Sequence, residues 1–124
     1  MSADSISIDV RTEFLTGESH PQGDKYAFGY HIAITNNGRE AAQLISRHWI
    51  ITDGDGNKQE VKGLGVVGEQ PNILPGETYS YSSFAVLQTS VGTMEGSYDM
   101  QRPDGSRFRV PIRPFLLALP GAVN

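Results

Sequence analysis

The chain has 124 residues, 38% apolar and 19% charged, with a formal net charge of −4 and no cysteine. That length suits one globular domain with a core of its own. The composition is neither that of a disordered chain nor of a membrane-spanning one, because no apolar run approaches the roughly 18 residues a membrane helix needs. The missing cysteines exclude disulfides, thiolate metal sites and cysteine nucleophiles, and the acidic balance argues against nucleic acid as a partner.

The opening stretch, MSADSISIDV, has no basic region followed by an apolar one, so a cytoplasmic protein is expected. The repeating signal begins there and has period two. Ile6, Ile8 and Val10 alternate with Ser7, Asp9 and Arg11. In a strand, successive side chains point to opposite faces, so the segment has one core face and one wetter face. His20 to Asp24 is turn-like. Tyr26, Phe28, Tyr30, Ile32 and Ile34 then share a parity, and Asn36-Asn37-Gly38 ends that strand. Gln43 to Thr52 is apolar on both parities, with Ile45, Trp49 and Ile51 against Leu44 and Ile50, which suits a central strand.

Asp53 to Asn57 reads as a hairpin loop, since Asn, Asp and Gly tolerate the positive φ of tight turns. Its DGDGN opening resembles a calcium loop, but Lys58 and Leu64 occupy the positions where that loop needs glycine and glutamate. Further strands are predicted over Lys58 to Lys62, Glu77 to Phe84, Thr93 to Gln101 and Ser106 to Ile112. Pro103-Asp104-Gly105 forms the turn before the last. The apolar tail after Pro114 is expected to dock on its own chain rather than on a neighbouring subunit.

About seven short strands with regular turns and no helical face predict an all-β protein. The expected architecture is an immunoglobulin or fibronectin type III-like sandwich of antiparallel strands. Trp49 sits where an immunoglobulin-like sandwich buries its tryptophan. One domain over 1–124 is expected, with 1–4 and 119–124 as loose termini.

Candidate sites are few. Residues 63–68, GLGVVG, match the glycine spacing of dinucleotide-binding turns, but that turn must open a helix. Pro71 and Pro75 forbid a helix there, and no βαβ unit surrounds the motif. Two readings remain. The loop is an amide nest for an anion, or the glycines accommodate a bend between strands with Val66 and Val67 partly buried. His20, His31 and His48 have no chelating spacing, and no nucleophile motif is present, so neither a metal nor a catalytic residue is assigned. Arg107, Arg109 and Arg113 form a basic stripe opposite Phe108, Val110 and Ile112. Such a stripe protects an edge strand, or recognises an acidic protein or a phosphate.

Several long stretches go further. SRHWIITD (46–53), VKGLGVVGEQP (61–71), LPGETYSYSS (74–83), VGTMEGSYDM (91–100) and RFRVPIRPF (107–115) resemble the ApaG family in order and spacing. The resemblance covers nearly the whole chain. It implies the same sandwich fold, a link to cobalt and magnesium efflux under the name CorD, and a genetic neighbourhood with diadenosine tetraphosphate hydrolysis. In eukaryotic relatives it implies protein interaction. It also marks Gly63, Gly65 and Gly68, followed by Glu69, Gln70 and Pro71, as a pyrophosphate-binding signature.

The expectation is therefore a non-catalytic protein-interaction module without a cofactor, acting on an unidentified protein partner. The alternative is a binder of phosphorylated small molecules such as dinucleoside polyphosphates. The expected binding residues are Gly63, Gly65, Gly68, Glu69, Gln70, Arg107 and Arg109, and a homo-oligomer is compatible with the sequence.

Overall fold

A computed structural model describes residues 5–121. Eight strands follow in order: β1 (Ile6–Phe14), β2 (Tyr26–Asn36), β3 (Ala42–Asp53), β4 (Lys58–Leu64), β5 (Asn72–Ile73), β6 (Thr78–Leu87), β7 (Val91–Gln101) and β8 (Arg107–Ala118). Two short 3₁₀ turns, Thr16–Glu18 and Pro21–Gly23, join β1 to β2. Among the described residues no helix is long and apolar enough to cross a membrane.

The strands form two antiparallel sheets, one of order β1-β2-β6 and one of order β4-β3-β7-β8, with β5 also paired to β3. Alternation in β2 buries Phe28, Tyr30, Ile32 and Ile34, which face Leu44, Trp49, Met94, Tyr98 and Val110 of the other sheet. Each such fully buried side chain contributes roughly 1.5–3 kcal/mol relative to exposure. Trp49 is the hub. Its ring makes edge-on contacts with Tyr30 (5.7 Å between centroids), Phe115 (5.9 Å) and Tyr98 (6.2 Å), so it links β2, β8 and β7. Such aromatic pairs add about 0.5–1.5 kcal/mol each beyond area burial.

Two irregularities decide which side chains reach that core. In β3 the register against β7 shifts between Leu44 and Ser46, leaving Ile45 as an extra residue. A bulge of this kind moves the inward parity by one. Ala42 and Leu44 point inward before it, and Trp49 and Ile51 after it. The double apolar parity of this segment thus comes from the bulge, on a strand that is also central, between β4 and β7. In β8 the shift lies opposite Glu95, where Arg113 and Pro114 face one residue of β7. Pro114 cannot donate to a ladder, so a bulge is where it fits. Val110 and Ile112 point inward before it and Leu117 after it, with Phe115 packed against the core.

The apolar tail therefore docks on its own chain as the end of β8, pairing Phe115 to Ala118 with Met94 to Val91. Beyond it, the Leu119 N–H donates to Ser90 O. Residues 1–4 and 122–124, part of the expected loose termini, lie outside the described residues.

Gly96 sits opposite Trp49 in the ladder, and a Cβ there would lie 2.0 Å from the His48 carbonyl oxygen and 3.1 Å from the indole. Gly96→Ala is expected to cost about 2–4 kcal/mol in denaturant unfolding, because backbone rather than a flexible side chain must give way. Gly17→Ala, with nothing near its added methyl, is expected to stay within about 0.5 kcal/mol of wild type.

Candidate functional site

The glycine segment is an excursion from an edge strand. β4 runs antiparallel to β3 as far as Leu64, opposite Ser46. β5 resumes the same edge, pairing Asn72 with Gln43 and Ile73 with Ala42. Between them the chain turns outward and back. Val66 and Glu69 exchange both backbone hydrogen bonds, at 2.8 and 3.0 Å, around Val67 and Gly68. Those two residues have φ of +48° and +80°. Positive φ at both central positions is the requirement of a type I′ turn. No helix follows Gly68; the chain passes through Gln70 and Pro71 into β5. Val66 is fully buried and anchors the excursion, whereas Val67 is 62% exposed, so the two valines do not share the partial burial expected of them.

The bulge holds the base of this loop. The Ile45 carbonyl accepts from the Gly65 N–H (2.8 Å) and from the Gln70 side-chain amide (2.9 Å). The Gln43 side chain donates to Gln70 O, and the Leu44 N–H to Pro71 O. Gly65 is required twice over. Its φ is +62°, and a Cβ would sit 2.2 Å from the Glu69 carbonyl oxygen. Of the loop amides, those of Gly65, Val66 and Glu69 are bonded within the protein.

Arg47 closes the other side. It follows the bulge on the parity of Trp49 and Ile51, so it lies opposite Tyr98 on one side and Gly63 on the other. Its Nη1 donates to Leu64 O (3.1 Å) and Gly65 O (2.9 Å). The guanidinium lies against Gly63, where a Cβ would come within 2.8 Å of Nη1. Next to it, the Tyr81 and Tyr98 hydroxyls hydrogen-bond one another across the two sheets. Burial is the largest influence on both phenols and pushes them well above the ordinary tyrosine range, with Arg47 opposing in each case. Tyr79 donates to Glu69 Oε2 (2.7 Å), and that bond raises its phenol too.

The seven residues singled out from sequence fall into two groups. Gly63, Gly65, Gly68, Glu69 and Gln70 belong to one loop. Arg107 and Arg109 lie on β8, at the far edge of the same sheet. Arg109 pairs with Asp99 (3.2 Å), which also accepts from Ser46, and Ser46 stands opposite Leu64. One shallow surface depression is lined by Gly63, Leu64, His48, Lys62, Asp99 and Arg109. Arg107 bonds Gln101 and stays apart from it. His48 lies 2.8 Å from Glu60, whose carboxyl falls below its ordinary range through that hydrogen bond and, next, through Lys62. His31 lies between Ser82 and Glu13. Among the described residues no three His, Asp or Glu side chains gather as a metal site would require.

Arg47 and the tyrosine pair were missed by motif reading. The available signal was parity: Arg47 shares that of Trp49 and Ile51, and an arginine on a core face needs a partner.

The arrangement of three strands against a β4-β3-β7-β8 sheet, with a buried tryptophan on β3, defines an immunoglobulin or fibronectin type III-like sandwich domain. The ApaG domain model matches residues 16–102. Proteins named ApaG from Aromatoleum aromaticum and Ectopseudomonas mendocina are 56% and 54% identical, each over 96% of this chain and 94% of the relative. This chain belongs to the ApaG family. A crystal structure of a Bordetella pertussis protein labelled ApaA superposes with a TM-score of 0.91 at 48% identity, covering 94% of each chain. An X-ray structure from a structural-genomics consortium gives 0.93 at 47% identity, covering 98% of this chain and 92% of that one.

Two predictions follow from the loop and the tyrosines. A β-branched residue at positive φ is strained, and asparagine relieves that strain at the first central position of a type I′ turn. Val67→Asn is expected to raise unfolding stability by about 1 kcal/mol. The phenols of Tyr81 and Tyr98 stay protonated in the fold but ionise near about pH 10 in the unfolded chain. Their contribution is therefore complete below about pH 10 and is lost as pH rises above it. Denaturant midpoints are expected to fall steeply above that pH, and less steeply in the Tyr81→Phe/Tyr98→Phe variant.

Proposed function

We propose that the chain is a non-catalytic, cytoplasmic protein-interaction module that presents the excursion at residues 64–74 to a partner protein. One observation carries this reading. The base of the loop is held by Arg47, Ile45 and Gln43, while Leu64, Val67 and Leu74 expose 75%, 62% and 48% of their surface. Large apolar side chains held outward on a rigid support are what a protein partner buries, and a preorganised loop binds with less ordering cost. A part in cobalt and magnesium efflux, implied by the family resemblance, is then exercised through that partner.

The second reading, a binder of dinucleoside polyphosphates or similar molecules, draws on the depression beside Gly63, whose lining includes Lys62 of β4, His48 of β3 and Arg109 of β8. Its Rossmann-like form has no support, because no helix end is present and three of the loop amides are already bonded. A phosphate would be held by side chains, not by a cradle of amides.

The experiment is affinity capture with the wild-type chain and with the Leu64→Ser/Val67→Ser/Leu74→Ser variant, the latter first shown to be folded by circular dichroism. Loss of specific partners with the variant is expected; an unchanged set of captured proteins sinks the interaction reading. Calorimetry with diadenosine tetraphosphate at low salt is expected to give no saturable heat up to millimolar ligand. Saturable heat that disappears in Lys62→Ala/Arg109→Ala replaces the first reading with the second.

A further inference from the structure

The two sheets end in four edge strands, β1 and β6 in one and β4 and β8 in the other. An exposed edge is a template for further pairing, and proteins block it with charges, prolines or bulges. Three of the edges are blocked in this way. β1 carries Asp9, Arg11 and Glu13 on its outward parity, β4 carries Lys58, Glu60 and Lys62, and β8 has its arginine stripe, two prolines and a bulge. β6, TYSYSSFAVL, has none of these. Among the described residues its only backbone hydrogen bonds are those of its ladder with β2. Phe84 and Val86 project from it, 64% and 40% exposed, and Phe84 stands opposite Gly29, which offers it no side chain to pack against.

We infer that β6 is a docking edge and that its occupant is β6 of a second copy of this chain, added antiparallel about a two-fold axis. The strand fits itself. A two-fold pairing that sets Ser82 against its own copy keeps the outward parity common to both strands. Phe84 then lies across from Ser80 of the second copy, and Val86 from Thr78. No charge meets a like charge along the strand, whereas β1, β4 or β8 paired with itself about Arg11, Glu60 or Arg109 would set like charges opposite one another. The ends add complementarity. Glu77, whose Oε1 accepts from the Leu74 N–H, precedes β6 at one end, and at the other Lys58 lines a groove beside Val86 and Leu87. Asp53 in that groove is engaged by Asn57. Antiparallel addition brings each Glu77 towards the partner's Lys58 end. The result is one continuous six-stranded sheet with both open edges satisfied at once, an isologous interface of the commonest kind.

The test is sedimentation equilibrium of the whole chain over a wide concentration range, with hydrogen–deuterium exchange at low and high concentration. A reversible dimer is expected, with the amides of 78–87 exchanging more slowly at high concentration. Phe84→Lys, placing a charge on the outward face, is expected to weaken association at least about tenfold. A wild-type chain that stays monomeric throughout overturns the inference, as does a dimer whose β6 amides exchange independently of concentration. A folded Phe84→Lys variant that dimerises as before overturns it too; if that variant fails to fold, wild-type exchange alone decides. None of these outcomes bears on the 64–74 surface, so the interaction reading above stands or falls separately.

Discussion

The structure depends on one extra residue in β3. Without Ile45 as a bulge, a strand that buries Ala42 and Leu44 would turn Trp49 and Ile51 to the outside. The bulge therefore places the tryptophan around which Tyr30, Tyr98 and Phe115 pack. It also leaves the Ile45 carbonyl without a ladder partner in β7. The glycine loop satisfies it twice, through Gly65 and Gln70. The same irregularity thus positions the core and fixes the glycine loop. Arg47 joins them, since it lies on the core parity because of the bulge and ties down the carbonyls of Leu64 and Gly65.

This explains why a nucleotide-like spacing occurs in a protein with no nucleotide fold. In a dinucleotide-binding turn the glycines allow close approach of a pyrophosphate and a helix. Here the close approaches are made by the protein itself. Arg47 occupies the space over Gly63, the Glu69 carbonyl occupies the space over Gly65, and Gly68 completes a two-residue turn. The chemical requirement, no Cβ at three spaced positions, is common to both cases, and the structural context separates them.

Strand positions were legible in the sequence wherever one parity was apolar, as in β1, β2 and β7. The turns at Asp53 to Asn57 and Pro103 to Gly105 were legible from their Asn, Asp and Gly content. Prolines at 71 and 75 correctly excluded a helix after Gly68. Bulges were not legible in advance, because a shift of parity looks locally like a strand buried on both faces. That is how Ile45 and Leu44 were read, and it hid Arg47 among apolar neighbours. β8 was read only to Ile112, since Pro114 argues against a strand unless a bulge receives it. The pairing of Tyr81 with Tyr98 depends on how the two sheets stack, which no pattern within one strand encodes.

The loop also bears on why a strained residue survives at its tip. Val67 holds a positive φ that a β-branched side chain disfavours, at a cost on the order of 1–3 kcal/mol. Such a conformation persists only when its surroundings fix it from both sides. Those surroundings are in place: the Val66–Glu69 bonds close the turn, Val66 is locked in the core, Tyr79 holds Glu69, and Gln70 is anchored to β3. Glycine or asparagine would occupy the position more easily, yet neither projects an apolar side chain from the tip. Keeping valine there sacrifices stability for a defined apolar surface. That exchange is in keeping with the interaction surface proposed for this loop.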